Sequence, residues 1–525
     1  MKSRYRPFAL AAVFVAVAVS SSRLHAATFD LSTATIADIH AAMDAGALSS
    51  EKLVQLYLAR IEAYDKKGPK VNSVITLNPK ALEEARALDA ERKATGRRSP
   101  MHGIPYVIKD LIDYAGLPTT AGFKPFGAPI PEKDAPHVAR IKAAGGILVA
   151  KVATVNWFGR DGFGETHPIG KTLNPYNVDY SPGGSSNGTG SAVATWFATV
   201  GVGTDTGSSV QTPSAFNSLA GMVATQGLIS RVGIVPRGPT HDRAGPMGRS
   251  VFDITVLLGA MSGFDPEDLD TYDGLGRFPQ FEWADSLAGS DLKQFRIGVL
   301  REAMSTAPKN EALDLFEAAL ADMRKGGAQV VDPITTGIDI GTTIRDAMVS
   351  NYERVVAGDV YLARLGPDRP FKTMAEMIEK VGPEKFTENY VEALTFPPID
   401  ENPEFLVRWR ARKAMRALLE DVMERHDLDA IAVLYRTLPA AWDPPAGGSG
   451  GSGSGGANLT SATGLPGVIV PIGFAQKNLP AAVQFVGRAF DDQRLLRVAY
   501  AYEQATKHRK PPALTPPLRG ERFDY

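Results

Sequence analysis

Apolar residues recur at positions 53, 56, 57, 58 and 61 of "SSEKLVQLYLARIEAYDK" (49–66). That spacing predicts an amphipathic helix, with Ser49 placed to cap its N-terminus. The preceding segment "TATIADIHAAMDAG" (33–46) has the same character, with Thr35 at the capping position. Beyond "HGIPYVIKD" the pattern changes. Asp134 is expected to cap a helix that carries Pro136 in its first turn and ends before Gly145, leading into the strand "GILVA" (146–150). A comparable unit follows: strand "RIGVL" (296–300), helix "FEAALADMRK" (316–325) and strand "AQVV" (328–331). Helices alternating with short apolar strands predict a layered α/β fold.

Residues 340–430 read as mostly helical, with mixed aromatic and charged positions and no chemical signature. The run "GGSGGSGSGG" (447–456) is the one low-complexity stretch. As a flexible linker it would span about 17 Å. The apolar segments "GVIVPIGF" (467–474) and "AAVQFVG" (481–487) beyond it read as interior strands, so the chain is expected to return to the main sheet. The run is therefore taken as a surface loop and not a domain boundary.

The first residues have a different pattern. Lys2, Arg4 and Arg6 precede the apolar run "FALAAVFVAVAV" (8–19), and small residues close the segment at Ala26 and Ala27. This is the layout of a secretory signal peptide, and so short an apolar run cannot cross about 30 Å of hydrocarbon. The expectation is removal of residues 1–27, a periplasmic or secreted product, and no stable membrane anchor after cleavage. Formal charge is −1 for the whole chain and falls to near −5 without the leader. There is no basic excess to follow a phosphate backbone, which argues against nucleic acid as a partner. Absence of cysteine removes disulfide frameworks and thiolate zinc sites.

The eight histidines show no i, i+4 pair and no H-E-x-x-H, so no metal or other cofactor is expected. "GETHPIGKT" (164–172) has Glu165 where a P-loop needs its first glycine, and reads as a loop. "GSSNG" (184–188) fits G-x-S-x-G with Ser186 at the centre, the esterase alternative. That elbow requires an apolar strand before the serine, and "NPYNVDYSPGG" is turn-rich.

Two serine-bearing glycine loops and a lysine remain: "SPGGSSNGTGS" (181–191), "GTDTGSSVQTP" (203–213) and Lys109, at the end of the apolar run 104–108. Lys109 admits two readings. Burial without a counter-charge would lower its pKa, and a shift to between about 7 and 8 corresponds to roughly 4 kcal/mol. The neutral amine would then serve as base for a serine, through a second hydroxyl. Alternatively, Lys109 forms an ion pair with its neighbour Asp110.

Three segments, "HGIPYVIKDLIDYAGLPTTAG", "GGSSNGTGSAVAT" and "GTDTGSSVQTPSAF", resemble in order the signature segments of the amidase signature family. "ATGLPGVIVPIGF" (462–474) and the tail 479–506 continue the likeness, which is thin over 335–457. The resemblance implies a large mixed β-sheet covered by helices on both faces, in a single domain over 28–515 with a variable substrate-pocket region (about 335–457) and a C-terminal tail (516–525). It implies Ser209 as nucleophile, Ser185 as proton relay after a cis peptide bond, and Lys109 as base. The backbone N–H groups of Thr206, Gly207, Ser208 and Ser209 would form the oxyanion hole. The substrate would be a small-molecule carboxamide, aryl or acyl amide, peptide C-terminal amide or carbamate. The family also contains glutamine-amide-hydrolysing amidotransferase subunits, and the same scaffold without catalysis would be a binding protein. This chain departs from the family pattern at Ser208, Gln211 and Asn187, where glycine, arginine and glycine are usual; these departures bear on substrate fit.

Overall fold

A computed structural model describes residues 27–304, 311–442 and 458–525. Residues 1–26, most of the expected leader, and the glycine-rich run lie outside the described residues.

Eleven strands form one mixed sheet. From one edge their order is Val74–Leu77, Ile147–Val152, Pro105–Lys109, Val200–Asp205, Arg243–Gly248 and Ala220–Val223, then Gly467–Ala475, Leu479–Val486, Ala430–Leu434, Arg296–Val299 and Gln329–Val331. Pairing is parallel around Pro105–Lys109 and again among the last three strands, and antiparallel through the middle. The two late apolar segments form an antiparallel pair at the centre, so the chain does return to the main sheet.

The sheet is buried on both faces, as a helix-covered sheet must be. Strand Pro105–Lys109 illustrates the alternation. Tyr106 and Ile108 join one hydrophobic core with the helix Val251–Met261, while Val107 joins a second with the helix Asn187–Ala194. Residues two apart on a strand share a face. Lys109 therefore emerges on the side of Val107, toward the helix that follows the first serine loop.

Local signals decide several helices. Thr35 caps Ile36–Asp44 in a reciprocal box with Asp38, and Ser49 accepts the Lys52 N–H at the start of Ser50–Tyr64. Asp134 does not cap as expected. The helix Pro136–Ala143 begins after Ala135 without a side-chain cap, and Asp134 instead pairs with Lys142 at 2.7 Å and accepts the Ala115 N–H. An available lysine two turns away outcompetes the cap.

The expected helical region contains Ile340–Asp346, Ser350–Arg364, Met374–Val381, Glu388–Ala393 and Pro403–Arg425. Near the C-terminus Arg522–Asp524 pairs with Thr28–Asp30. No helix among the described residues is long and apolar enough to cross a membrane.

Candidate active site

Lys109 is the last residue of its strand, and Thr204 and Asp205 end the parallel neighbour, so their side chains collect at one end of the sheet. The first serine loop arrives there because Gly188 lets the helix Asn187–Ala194 start hard against strand Ile147–Val152. A Cβ at that position would lie 2.2 Å from the Ala153 nitrogen. Just before this helix, Gly183 takes the left-handed φ of +79° and the Gly184–Ser185 peptide bond is cis.

These constraints bring Ser185 to Lys109. Lys109 Nζ donates to Ser185 Oγ at 2.6 Å and to Thr204 Oγ1 at 2.8 Å. Lys109 is fully buried, with the Trp157 ring centroid 5.1 Å from its nitrogen. Burial holds its ammonium well below the usual lysine range; the Asp205 carboxylate pulls it back upward, and Arg237 opposes that pull. The amine lies among hydroxyls, with no carboxylate within 4 Å among the described residues.

The second serine loop turns between strand Val200–Asp205 and helix Gln211–Phe216. Asp205 Oδ2 accepts the Val210 and Gln211 N–H groups at 2.8 and 3.4 Å, folding the chain back on itself. Thr206 Oγ1 donates to Asp242 at 2.5 Å, and Ser461 Oγ donates to the Gly207 carbonyl at 2.7 Å. Inside this frame, the N–H groups of Thr206, Gly207, Ser208 and Ser209 donate to no other described group. Ser209 is half-buried and its carbonyl accepts the Ser186 N–H at 3.2 Å, which sets the two serine loops side by side. Its hydroxyl makes no hydrogen bond among the described residues, whereas that of Ser185 is engaged by Lys109.

The Lys109–Asp110 ion pair does not form. Asp110 points elsewhere, to Lys151 at 3.1 Å. Ser186 is fully buried, and its hydroxyl donates to the Thr204 carbonyl and accepts the Thr204 N–H, both at 3.2 Å. It ties the two loops together and is not presented to solvent.

Of the three departures, Gln211 is fully buried behind the loop, where its amide meets Asp205, Thr460 and Gln484. Ser208 accepts a hydrogen bond at 3.0 Å from Arg436 Nη2, and the same guanidinium donates through Nε to Thr212 Oγ1 at 3.0 Å. Asn187 is buried with its amide making no hydrogen bond to a described group, and nothing in the structure explains that choice.

Thr204, Asp205, Trp157, Ser461 and Arg436 are not picked out by sequence reasoning. Thr204 and Asp205 lie inside the second serine segment, a few residues before the serines. Arg436 carries no pattern, since it sits in the region of thin resemblance.

A cavity of about 600 Å³ lies behind Trp157, whose indole donates to the Pro236 carbonyl in the cavity wall. Asp242, Glu353, Val356 and Tyr361 also line it, but Lys109, Ser185 and Ser209 do not. Burial pushes the Glu353 carboxyl up to about 7.

Comparison with known proteins gives this geometry its relatives. The family model described as Amidase matches residues 52–496. The chain is 31% identical to a subunit of the glutamyl-tRNA(Gln) amidotransferase of Ralstonia pickettii, over 92% of this chain and all of that protein. It is 30% identical to a probable amidase of Arabidopsis thaliana, over 95% of each. The native peptide amidase of Stenotrophomonas maltophilia superposes with a TM-score of 0.82 at 32% identity, covering 92% of this chain and 99% of that one.

Proposed function

The chain belongs to the amidase (amidase signature) family and is an amide-hydrolysing enzyme, and we propose that it works through a serine acyl-enzyme in which Ser209 attacks, Ser185 relays and Lys109 is the base. The observation that carries this reading is the 2.6 Å contact between a fully buried lysine amine and the Ser185 hydroxyl. Desolvation disfavours the ammonium, and in the neutral form the amine's lone pair takes the Ser185 proton as Ser185 takes that of Ser209. Ser209 Oγ bonds to the amide carbon, and charge develops on the carbonyl oxygen. The unengaged N–H groups of residues 206–209 receive that charge; in other enzymes one such donor is worth about 3–4 kcal/mol. Lys109 returns the proton through Ser185 to the leaving nitrogen, and the amine or ammonia departs. Water, deprotonated along the same path, then releases the acid.

The substrate class proposed first is a small amide, with a peptide C-terminal amide ahead of aryl amides and carbamates. Support comes from the likeness to a peptide amidase over nearly the whole of both chains. The export signal read at residues 1–27 supports a periplasmic or secreted enzyme. The likeness to an amidotransferase subunit supports a second reading, glutamine-amide hydrolysis for transamidation. Cell fractionation separates the two, because aminoacyl-tRNA is cytosolic.

The mechanistic test is turnover of a peptide amide by the Lys109→Ala, Ser185→Ala and Ser209→Ala variants, with fluorophosphonate labelling mapped by mass spectrometry. The expected result is label on Ser209 and a loss of at least about 10³-fold in each variant. Wild-type turnover by the Ser209→Ala protein would end the assignment.

A further inference from the structure

We propose that the cavity between Arg231 and the helix Pro403–Arg425 binds a small multivalent oxyanion, seated by Arg412, Lys413 and Arg416 and linked through Ser461 to the nucleophile loop. This site is separate from the one just assigned; the binding proposed does not depend on that assignment, whereas the link to the nucleophile loop rests on it.

The cavity measures about 370 Å³, and four cations line it, Arg231, Arg412, Lys413 and Arg416, against the two carboxylates Asp270 and Asp273. Arg231 is already committed to Asp268 and, at 2.7 Å, to Asp270. Among the lining residues three cations then remain with the carboxylate of Asp273, and of these Arg416 also lies 3.6 Å from Glu420 outside the lining. Arg412 and Arg416 are an i, i+4 pair and Lys413 and Arg416 an i, i+3 pair of one helix, the spacings that set side chains next to each other, and all three line the cavity.

Arg412 is the unusual member. It is 5% exposed, yet among the described residues no carboxylate lies within 4 Å of it. Its guanidinium meets no carboxylate but Gln226 Oε1 at 2.6 Å, the Thr240 carbonyl at 3.0 Å, the Ser461 carbonyl and, at 3.4 Å, His241 Nδ1. A buried cation held by neutral acceptors alone is expensive unless an anion completes the site. Burial, followed by the charge of Arg243, lowers its pKa to about 9. Lys413 also has no carboxylate within 4 Å among the described residues, and its nitrogen lies 5.2 Å from the ring centroid of Trp409. Arg416 reaches only Glu420, at 3.6 Å. Trp409, 41% exposed, stands at the wall beside these charges and will report on occupancy.

The link to catalysis runs through one residue. The Ser461 carbonyl receives Arg412 and lies 2.8 Å from His241 Nδ1, while its hydroxyl donates to the Gly207 carbonyl at 2.7 Å and to Asp205 Oδ1 at 3.1 Å. Charge placed on Arg412 therefore acts on the peptide that precedes Ser208. Guanidinium and ammonium groups recognise phosphoryl and carboxylate oxygens alike. The ligand is accordingly a phosphate ester or a small polycarboxylate.

The test titrates the purified full-length enzyme with sodium phosphate and with citrate, against sodium chloride at equal ionic strength. It reads tryptophan fluorescence, melting temperature and turnover. The expected result is a saturable response to at least one oxyanion, weakened at least tenfold by Lys413→Ala/Arg416→Ala. Trp409→Phe should lose the fluorescence change and keep the thermal shift. Tighter phosphate or tighter citrate identifies the phosphoryl or carboxyl source. No saturable response, or one unchanged in the double variant, overturns the site. Binding without at least a twofold change in turnover at the same midpoint overturns the link. Fluorescence and melting do not require amide cleavage, so failure here is distinguishable from failure of the catalytic assignment.

Discussion

Asp110 directs its carboxylate to Lys151, 3.1 Å away on the neighbouring strand, and not to Lys109, its neighbour in sequence. Both partners are fully buried. Lys151 also donates to the Pro118 carbonyl at 2.8 Å and to Thr119 Oγ1 at 2.7 Å, while Asp110 Oδ2 accepts the Thr120 N–H at 3.0 Å. Two lysines near the ends of adjacent strands thus have different partners. One has the carboxylate, and the other is left with hydroxyls and is free to be neutral.

Removing the cation of that pair strands a buried carboxylate. The Lys151→Met variant is expected to lose about 3–5 kcal/mol of stability, a typical cost of breaking a buried pair from one side. Lys151→Met/Asp110→Asn should recover part of that loss, because the amide carries no charge. Urea unfolding of the wild type, both single variants and the double variant checks both statements; equal stability of Lys151→Met and wild type would deny the pair any role.

Arg436 braces both ends of the turn that carries Ser209, at Ser208 and at Thr212, and Thr212 Oγ1 also meets the Tyr435 hydroxyl at 3.0 Å. A serine beside Ser209 is then a partner to this arginine and not merely a larger glycine. A hydrogen bond to a charged donor is worth about 1.5–3 kcal/mol when buried, and less at this half-buried position. Arg436→Ala is expected to lower kcat about tenfold with a smaller change in KM, and Ser208→Gly to have little further effect in that background. Kinetics of the double-mutant cycle decide it; independent, multiplying effects would contradict a shared brace.

Gln211 behaves differently, because its amide is enclosed by Asp205, Thr460 and Gln484. Gln211→Ala leaves these groups short of partners and should destabilise the fold by about 2–3 kcal/mol. Relative rates across a panel of amide substrates should stay unchanged, since the side chain lies behind the loop. Thermal denaturation and the substrate panel test these separately.

The parts of this protein legible in sequence are those whose cause is local. The Thr35 and Ser49 caps depend on residues within one turn. The serine loops and Lys109 stand out as contiguous segments, and the strands as apolar runs. What escapes depends on partners distant in the chain. Asp134 has the right residue type for a cap, but Lys142 claims it. Asp110 and Lys109 are neighbours in the chain, and side-chain alternation sends them to opposite faces. Arg436 reaches Ser208 only because strand Ala430–Leu434 ends in the same sheet, and no local pattern announces that.

The depressed pKa of Lys109 has consequences of definite sign for stability as well as for rate. In the unfolded chain this lysine titrates near 10.4, whereas in the fold burial holds it well below that. Between the two values the unfolded state binds a proton that the native state does not, so the group favours unfolding there. Stability therefore rises with pH through this window, and below the native pKa the full penalty is present. Lys109→Met removes the penalty. It should raise the melting temperature at neutral pH, with the gain shrinking as pH approaches about 10.4. Below that window, wild-type kcat/KM should climb with pH as the native amine loses its proton, and this acid limb should report its native pKa. Melting curves of both proteins and a wild-type pH–rate profile check the two arms. A rate with no acid limb attributable to Lys109 would mean that this amine is not the base, and a Lys109→Met protein that melts lower than wild type at neutral pH would mean that the buried amine carries no net penalty.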